Sequence, residues 1–239
     1  MQNLNYGVIG NCSTAALISE KGAIEWLCFP GFDSSSVFAA ILDRQKGGHF
    51  GFKVTSDYKV TQSYVPHTNI LSTHFESEEG AFDVVDFMPC YPTSDGKDFY
   101  RPAEIYRYIR WAKGRPRMKV DYRPAPNYAR GKTIYNVTSQ YVETYSSVEN
   151  KDRQYLYSSL DLKKVVNHDE ITLEKDEFFL FSFNEKVIPV DIEREKLEYC
   201  RTLVYWLNWT DHAKRYTRYN EVIERSMLVL KLMTYRNGA

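Results

Sequence analysis

From the N-terminus to about Lys186, apolar residues recur in short runs that alternate with polar ones, punctuated by Gly, Pro, Asp and Asn. Tyr, Phe, Val, Ile and Thr dominate these runs, as suits a pleated, half-buried surface. TAALISEKGAIEWLCF predicts a hairpin turning near Lys21-Gly22. NILSTHFESEEGAFDVVDFMP predicts another, with Glu78-Glu79-Gly80 between a strand through Leu71, Thr73 and Phe75 and one centred on Val84. The same hairpin pattern continues in AEIYRYIRWAKGRPRMKVDYRP, turning at Lys113-Gly114, and in EITLEKDEFFLFSFNEK, which ends on an apolar run suited to a buried strand. SSSVFAAILDR interrupts the series and predicts one short helix, capped by Asp33 or a following Ser. With no helices of crossover length between the strands, the fold class is mainly β: a large antiparallel β-sandwich over residues 1–188, not a parallel α/β sheet.

After Pro189 the period becomes helical. DIEREKLEYCRTLVYWLNWTDHAKRY sets Ile192, Leu197, Cys200, Val204 and Leu207 along one side, opens with acids and ends in Lys and Arg, as the helix dipole favours. A linker helix is predicted within 189–218. A second follows within 219–239, with Val222, Ile223, Met227 and Leu230 on one side and Leu228, Val229 and Leu232 roughly across from them. A helix apolar on two sides requires neighbours on both. Val222, Ile223, Met227 and Leu230 are therefore the expected contact with a partner, either a second copy or a separate helical domain.

Composition narrows the function classes. Lys plus Arg and Asp plus Glu each number 31, for a formal net charge of zero, and no run of one sign marks a nucleic-acid or anionic-membrane surface. Four cysteines are scattered without a C-x-x-C pair, and MQNLNYGVIGN has neither a basic nor an apolar signal region. A soluble cytoplasmic protein with reduced cysteines is expected. The nucleophile elbow G-x-S-x-G is missing, and the five histidines lack H-x-x-x-H or H-E-x-x-H spacing. Gly47-Gly48 lacks the Lys and Ser/Thr of a phosphate loop. No metal and no cofactor is expected. Asp83 and Asp86 differ by an odd step along a strand and should point to opposite faces, so they make no catalytic pair. Aromatic rings can stack on sugars, and Trp26 and Phe32 flank a Pro30-Gly31 turn that also carries Asp33. These three are the candidate substrate-adjacent residues, and none is assigned a catalytic role.

IGNCSTAALISEKGAIEWLCFPGFDSSSVFAAILD closely resembles the opening of the bacterial glucoamylase-like and trehalase-like enzymes of glycoside hydrolase family fifteen. YVPHTNILSTHF, FDVVDFMP, IYRYIRWAKGRPRMKVDYRPAPNYAR and ERSMLVLKLMTY continue the likeness in order, while Gly31 departs from it where many relatives carry Arg. The resemblance implies a sandwich joined by a helical linker to an (α/α)6 barrel, in which two glutamates hydrolyse an α-glucosidic bond with inversion. ERSMLVLKLMTY would be the first barrel helix, and neither catalytic glutamate is matched. The expectation is thus a non-catalytic sandwich domain of a truncated hydrolase, acting on an α-glucan or trehalose-like carbohydrate only through the full-length enzyme. The alternatives are a stand-alone carbohydrate-binding module that uses the loop at Trp26 and Phe32, or an assembly module.

Overall fold

The computed structural model describes residues 4–148, 151–188 and 190–235. Two antiparallel sheets face each other. The first orders the strands Tyr6–Gly10, Ala15–Ser19, Ile24–Cys28, His49–Lys53, Arg117–Arg123 and Glu170–Thr172, with Ser36–Phe38 paired to the third. The second orders Thr133–Val137, Val142–Ser146, Gln154–Ser158, Glu177–Phe183, Glu104–Gly114, Gly80–Phe87, Leu71–Glu76 and Lys59–Tyr64. Among the described residues there are three helices: α1 (Leu162–Asn167), α2 (Ile192–Asp211) and α3 (Asn220–Leu232).

Between the sheets lies an aromatic core. Phe50 meets Phe179 edge-on at 5.4 Å, Phe38 lies 5.5 Å from Phe181, and Phe75 stacks on Phe82 at 4.7 Å. An ion pair between neighbouring strands of the second sheet is buried in this interior. Arg107 donates from Nε to Asp86 Oδ1 at 2.7 Å and from Nη1 to the Phe50 carbonyl at 2.6 Å, and Nη2 also reaches the Gly22 carbonyl. Its guanidinium lies over the rings of Phe50 and Phe52, 4.7 and 4.8 Å away. Both charges are fully buried, and the arginine ties the second sheet to a turn and a strand of the first.

The first two predicted hairpins form as the alternation implies. Ala15–Ser19 pairs with Ile24–Cys28, and Leu71–Glu76 with Gly80–Phe87. The next two are not hairpins. Both edges of Glu104–Gly114 are taken, by Glu177–Phe183 and Gly80–Phe87, so the chain cannot fold back beside it. It turns at Gly114 instead and enters the opposite sheet as Arg117–Arg123, where Met118, Val120 and Tyr122 join the core. Gly114 has φ +67°, and a Cβ there would stand 2.3 Å from the Glu79 carbonyl oxygen. Glu177–Phe183 likewise has both edges occupied, which sends Glu170–Thr172 to the first sheet.

SSSVFAAILDR forms no helix. Ser36–Phe38 is a strand against Ile24–Cys28, because burying Val37 and Phe38 in the core outweighs local helix preference, and only one turn follows, closed by Asp43 N–H to the Ala39 carbonyl at 3.2 Å. Asp33 is exposed in the preceding turn, and the Ser34 hydroxyl accepts from the Gly31 amide at 3.0 Å instead of capping a helix.

The outer face of the second sheet is also apolar. Val85, Phe87, Tyr106, Tyr108, Phe178 and Leu180 form a second buried cluster with Tyr205 and Trp206 of α2 and Leu228 and Leu232 of α3. The first turn of α2 is set by Asp191, whose carboxylate accepts from the Arg194 amide at 2.8 Å. The helix stops at Asp211, before Lys214 and Arg215, so the expected basic last turn is absent.

Replacing Arg107 by Met leaves Asp86 as a buried, unpaired charge, so R107M is expected to cost about 3–5 kcal/mol in urea unfolding. The double variant R107M/D86L is expected to recover at least about half of that loss. Equal losses in both proteins would show that the ion pair does not hold the sheets together.

Candidate functional site

The helical face of the molecule is built from α2, α3, the short hairpin of Tyr91–Pro92 with Phe99–Tyr100, and the turn at Pro30–Asp33. Of the apolar stripe expected on α2, Ile192 packs against the buried cluster and the rest does not dock. Its buried side carries Glu195, Glu198, Thr202, Tyr205, Trp206 and Thr210, whereas Leu197 (48% exposed), Val204 (63%), Leu207 (39%) and Cys200 face outward. The reason lies in the sheet beneath. Tyr205 and Trp206 supply the larger apolar area to the cluster on that sheet, and the short hairpin offers a tyrosine hydroxyl to Glu198. Tyr91 donates to Glu198 Oε2 at 2.7 Å, while Arg194 Nε donates to the Tyr106 hydroxyl at 3.2 Å.

α3 docks by one side only. Leu228 and Leu232 are buried, Asn69 Nδ2 donates to the Leu228 carbonyl at 3.0 Å, and Arg225 Nη1 donates to the Thr68 carbonyl at 2.8 Å. Of the four predicted partner residues, Val222 and Leu230 are exposed (66% and 70%), and Ile223 and Met227 are half-buried. Together with Leu197, Val204 and Leu207, they leave apolar side chains uncovered on two successive helices.

A groove of about 1510 Å³ runs between the hairpin and the helices, with Tyr91, Phe99 and Tyr100 on one side and Glu198, Arg201 and Trp209 on the other. The Tyr91 and Tyr100 rings stack at 5.1 Å. Glu198 is the acid that lines it among the described residues, and both its oxygens are engaged, Oε2 by Tyr91 and Oε1 by Arg201 Nη1 at 3.2 Å. A carboxylate committed in this way is not free to protonate a leaving oxygen or to activate water. In a smaller groove of about 530 Å³, Asp121 is the centre of another network. Burial raises its pKa, but hydrogen bonds from Lys53, His49 and Arg123 outweigh that and hold the carboxyl well below the usual range. Among the described residues, no cluster of three or more His, Cys, Asp or Glu side chains could hold a metal ion, and no helix is long and apolar enough to cross a membrane.

The predicted substrate-adjacent residues are placed as follows. Trp26 lies on the strand Ile24–Cys28 opposite Leu17, half-buried, and not on the turn. Phe32 and Asp33 are on the turn, held by the Phe32 amide donating to the Ser13 carbonyl at 3.1 Å. The Phe32 ring sits edge-on to Tyr235 at 5.6 Å, so the turn abuts the residues just past α3. At the neighbouring Gly31, a Cβ would come 3.0 Å from Asp33 Oδ1 and 3.2 Å from the Tyr235 hydroxyl, so a larger residue there would require these side chains to shift. Asp86 is the interior ion-pair partner, while Asp83 faces outward toward His74 and Arg110, as the odd spacing requires. Sequence reasoning missed the Tyr91–Glu198–Arg201 network, since Tyr91 reaches the other two only when α2 packs beside the short hairpin.

Beneath α2, Glu195 is buried with neither carboxyl oxygen hydrogen-bonded. Burial, followed by the nearby Asp86, Glu198 and Glu104 charges, pushes its pKa well above the ordinary range. Burial also raises Glu104 to about 6. Both carboxyls keep their protons in the fold at pH values where the unfolded chain has lost them, so stability is full below the unfolded value near ~4.3 and falls as pH rises, by about 1.4 kcal/mol per unit per proton. The Glu104 contribution ends near pH 6, and that of Glu195 continues above it. Urea unfolding of E195Q between pH 6 and 8 is expected to show a shallower decline than the parent, by about one proton. An unchanged slope would mean that Glu195 is ionised in the fold.

A family model of the trehalase-like N-terminal domain matches residues 5–150. Among curated proteins, the chain is 28% identical over 250 residues to "Trehalase" of Thermoplasma volcanium, an alignment covering 96% of this chain and 37% of that protein. It is 29% identical over 228 residues to "Trehalase" of Thermoplasma acidophilum, covering 92% and 38%. Over 85 residues it is 49% identical to "Trehalase 1" of Sulfolobus acidocaldarius, covering 35% and 14%. The chain spans less than two-fifths of the length of these relatives.

Proposed function

The chain belongs to the family of trehalase-like N-terminal domains, and from that membership we propose that it is the β-sandwich and helical linker of a glucoamylase/trehalase-like α-glucoside hydrolase, non-catalytic by itself. Trehalose or a related α-glucoside is the substrate of the complete enzyme in this reading, which follows the names of the relatives. The proposal divides the chain into a sandwich at 1–188, a linker helix at 189–218, and a first barrel helix at 219–239. Four unpaired cysteines suit a reducing cytoplasmic location.

One observation carries the reading. Both terminal helices dock by one side and leave Leu197, Val204, Leu207, Val222 and Leu230 uncovered on the other, as helices do when a further layer packs over them. Inverting hydrolysis needs one carboxylic acid to protonate the leaving oxygen and a carboxylate on the opposite face to activate water. Glu198 in the large groove is hydrogen-bonded on both oxygens, and Glu195 lies beneath the helix without access to the groove, so neither suits those roles. We place the general acid and base in the part of the enzyme that covers the helices. The turn carrying Phe32 and Asp33 meets the end of α3 through Tyr235, and it is the edge of the sandwich that would border the substrate, with Trp26 supporting the strand behind it. A second copy of this chain covering the same apolar side chains is the competing occupant.

Purified 1–239 protein is expected to release no glucose from trehalose or maltooligosaccharides above the uncatalysed background, and measurable turnover would refute the non-catalytic assignment. V204E and L230E should each change unfolding free energy by no more than about 0.5 kcal/mol, as surface substitutions do, while the pair lowers the fluorescence of an apolar dye bound to the protein. Light scattering that finds a monomer at high concentration would remove the second-copy reading.

A further inference from the structure

Each sheet ends in two strands, and an end strand offers unpaired N–H and C=O groups to any extended chain. Three of the four ends are guarded. On Tyr6–Gly10, the Tyr64 hydroxyl accepts from the Val8 amide at 2.7 Å and donates to the Val8 carbonyl at 3.1 Å. Glu170–Thr172 is only three residues long, and Glu170 is paired with Arg117 at 3.4 Å. Lys59–Tyr64 opens on an exposed lysine and is tied to the first sheet by Gln62, which donates from Nε2 to the Ser19 carbonyl at 3.0 Å. The fourth end, Thr133–Val137, reads TIYNV and has no charge, no proline and no bulge, and among the described residues no strand pairs with its outer edge. Ile134, Tyr135 and Val137 are 37–38% exposed there.

The hydrogen bonds at both ends of this strand show which residues face outward. The Ser147 amide donates to the Lys132 carbonyl at 2.9 Å, and the Thr138 amide to the Tyr141 carbonyl at 3.0 Å. Between them the register is unbroken, from Thr133 opposite Ser146 to Val137 opposite Val142. In an antiparallel ladder the bonding residues alternate, so Ile134 and Asn136 bond toward Val142–Ser146. Thr133, Tyr135 and Val137 therefore aim their N–H and C=O groups away from it, into the open edge.

We propose that this edge pairs with the same edge of a second copy of the chain, antiparallel about a two-fold axis at Tyr135, so that the second sheets of two molecules become one. The three outward residues are spaced symmetrically about Tyr135. The axis sets Tyr135 against Tyr135 and Thr133 against Val137, and each opposed pair exchanges two N–H···O bonds, three pairs giving about six in all. Charge selects the same arrangement. Arg130 and Lys132 precede the strand, and no charged residue occurs from 133 to 142. Antiparallel pairing brings Lys132 toward Thr138 of the second copy and Arg130 toward its Gln140, whereas parallel pairing would set like charges side by side. Five residues from each copy fall short of the roughly 1,200 Å² that a stable complex buries, so the dimer is weak and concentration-dependent. No residue of Thr133–Val137 belongs to the cluster beneath α2 and α3, which makes the pairing independent of what covers those helices.

Sedimentation equilibrium of the 1–239 protein is expected to show a monomer–dimer equilibrium with a Kd between about 1 µM and 1 mM. The Tyr135 and Val137 amides should exchange at least about fivefold more slowly in a mostly dimeric sample than in a mostly monomeric one. Y135K sets like charges opposite each other at the axis, and V137P removes an outward amide without touching the ladder to Val142–Ser146, so each should raise Kd at least about tenfold. The V204E/L230E double variant, altered only on the helices, should change Kd by less than about twofold. The exchange of the parent protein decides the matter should either strand variant fold poorly. A parent that stays monomeric to about 1 mM, exchange at Tyr135 and Val137 that ignores concentration, or a dimer that V204E/L230E dissolves and both strand variants leave intact, would overturn the proposal.

Discussion

The eight-stranded sheet has two apolar faces, and most of what sets this molecule apart follows from the need to cover the outer one. A sandwich buries its sheets' facing sides against each other, and an outer side is ordinarily polar. Here Phe87, Tyr106, Tyr108, Phe178 and Leu180 would be left in water without a second layer. The helices α2 and α3 supply it, and Trp206, 1% exposed, is the largest fully buried side chain described. Tyr205 and Trp206 carry the larger apolar area of α2 and set which side of it goes down. On that side Glu198 and Tyr205 also meet Tyr91 and Phe99 of the short hairpin.

That choice explains the two unusual features of the helical layer. Aliphatic residues that sequence periodicity assigns to a core end up outside, available to a further layer, while Glu195 is carried into the interior with no hydrogen bond. Keeping Glu195 protonated is the least costly solution, since an isolated charge beneath the helix would be far less favourable than a neutral carboxyl. Membership of the trehalase-like N-terminal family accounts for the scaffold. The exposed helix sides account for how it would be used.

On the inner side, Arg107 and Asp86 impose a different constraint. Each interior hydrogen bond of the arginine is spent on a group that is otherwise buried, including carbonyls of the Gly22 turn and of Phe50. The arginine therefore ties the second sheet to the first, with Asp86 balancing its charge.

Alternation in the sequence was enough to determine the mainly β class, the two early hairpins, the opposite faces of Asp83 and Asp86, and the existence of both terminal helices, because each depends on a local period that every residue reports. The likeness of the N-terminal segment to a glycosidase family was legible for the same reason, being carried by contiguous residues. Only the tertiary structure decided that the chain crosses between sheets at Gly114, that Val37 and Phe38 make a strand, and that α2 turns its aliphatic side outward. Those outcomes depend on which strand edges are already occupied and on what lies beneath a helix. Both are set by residues distant in the chain, and no local pattern records them.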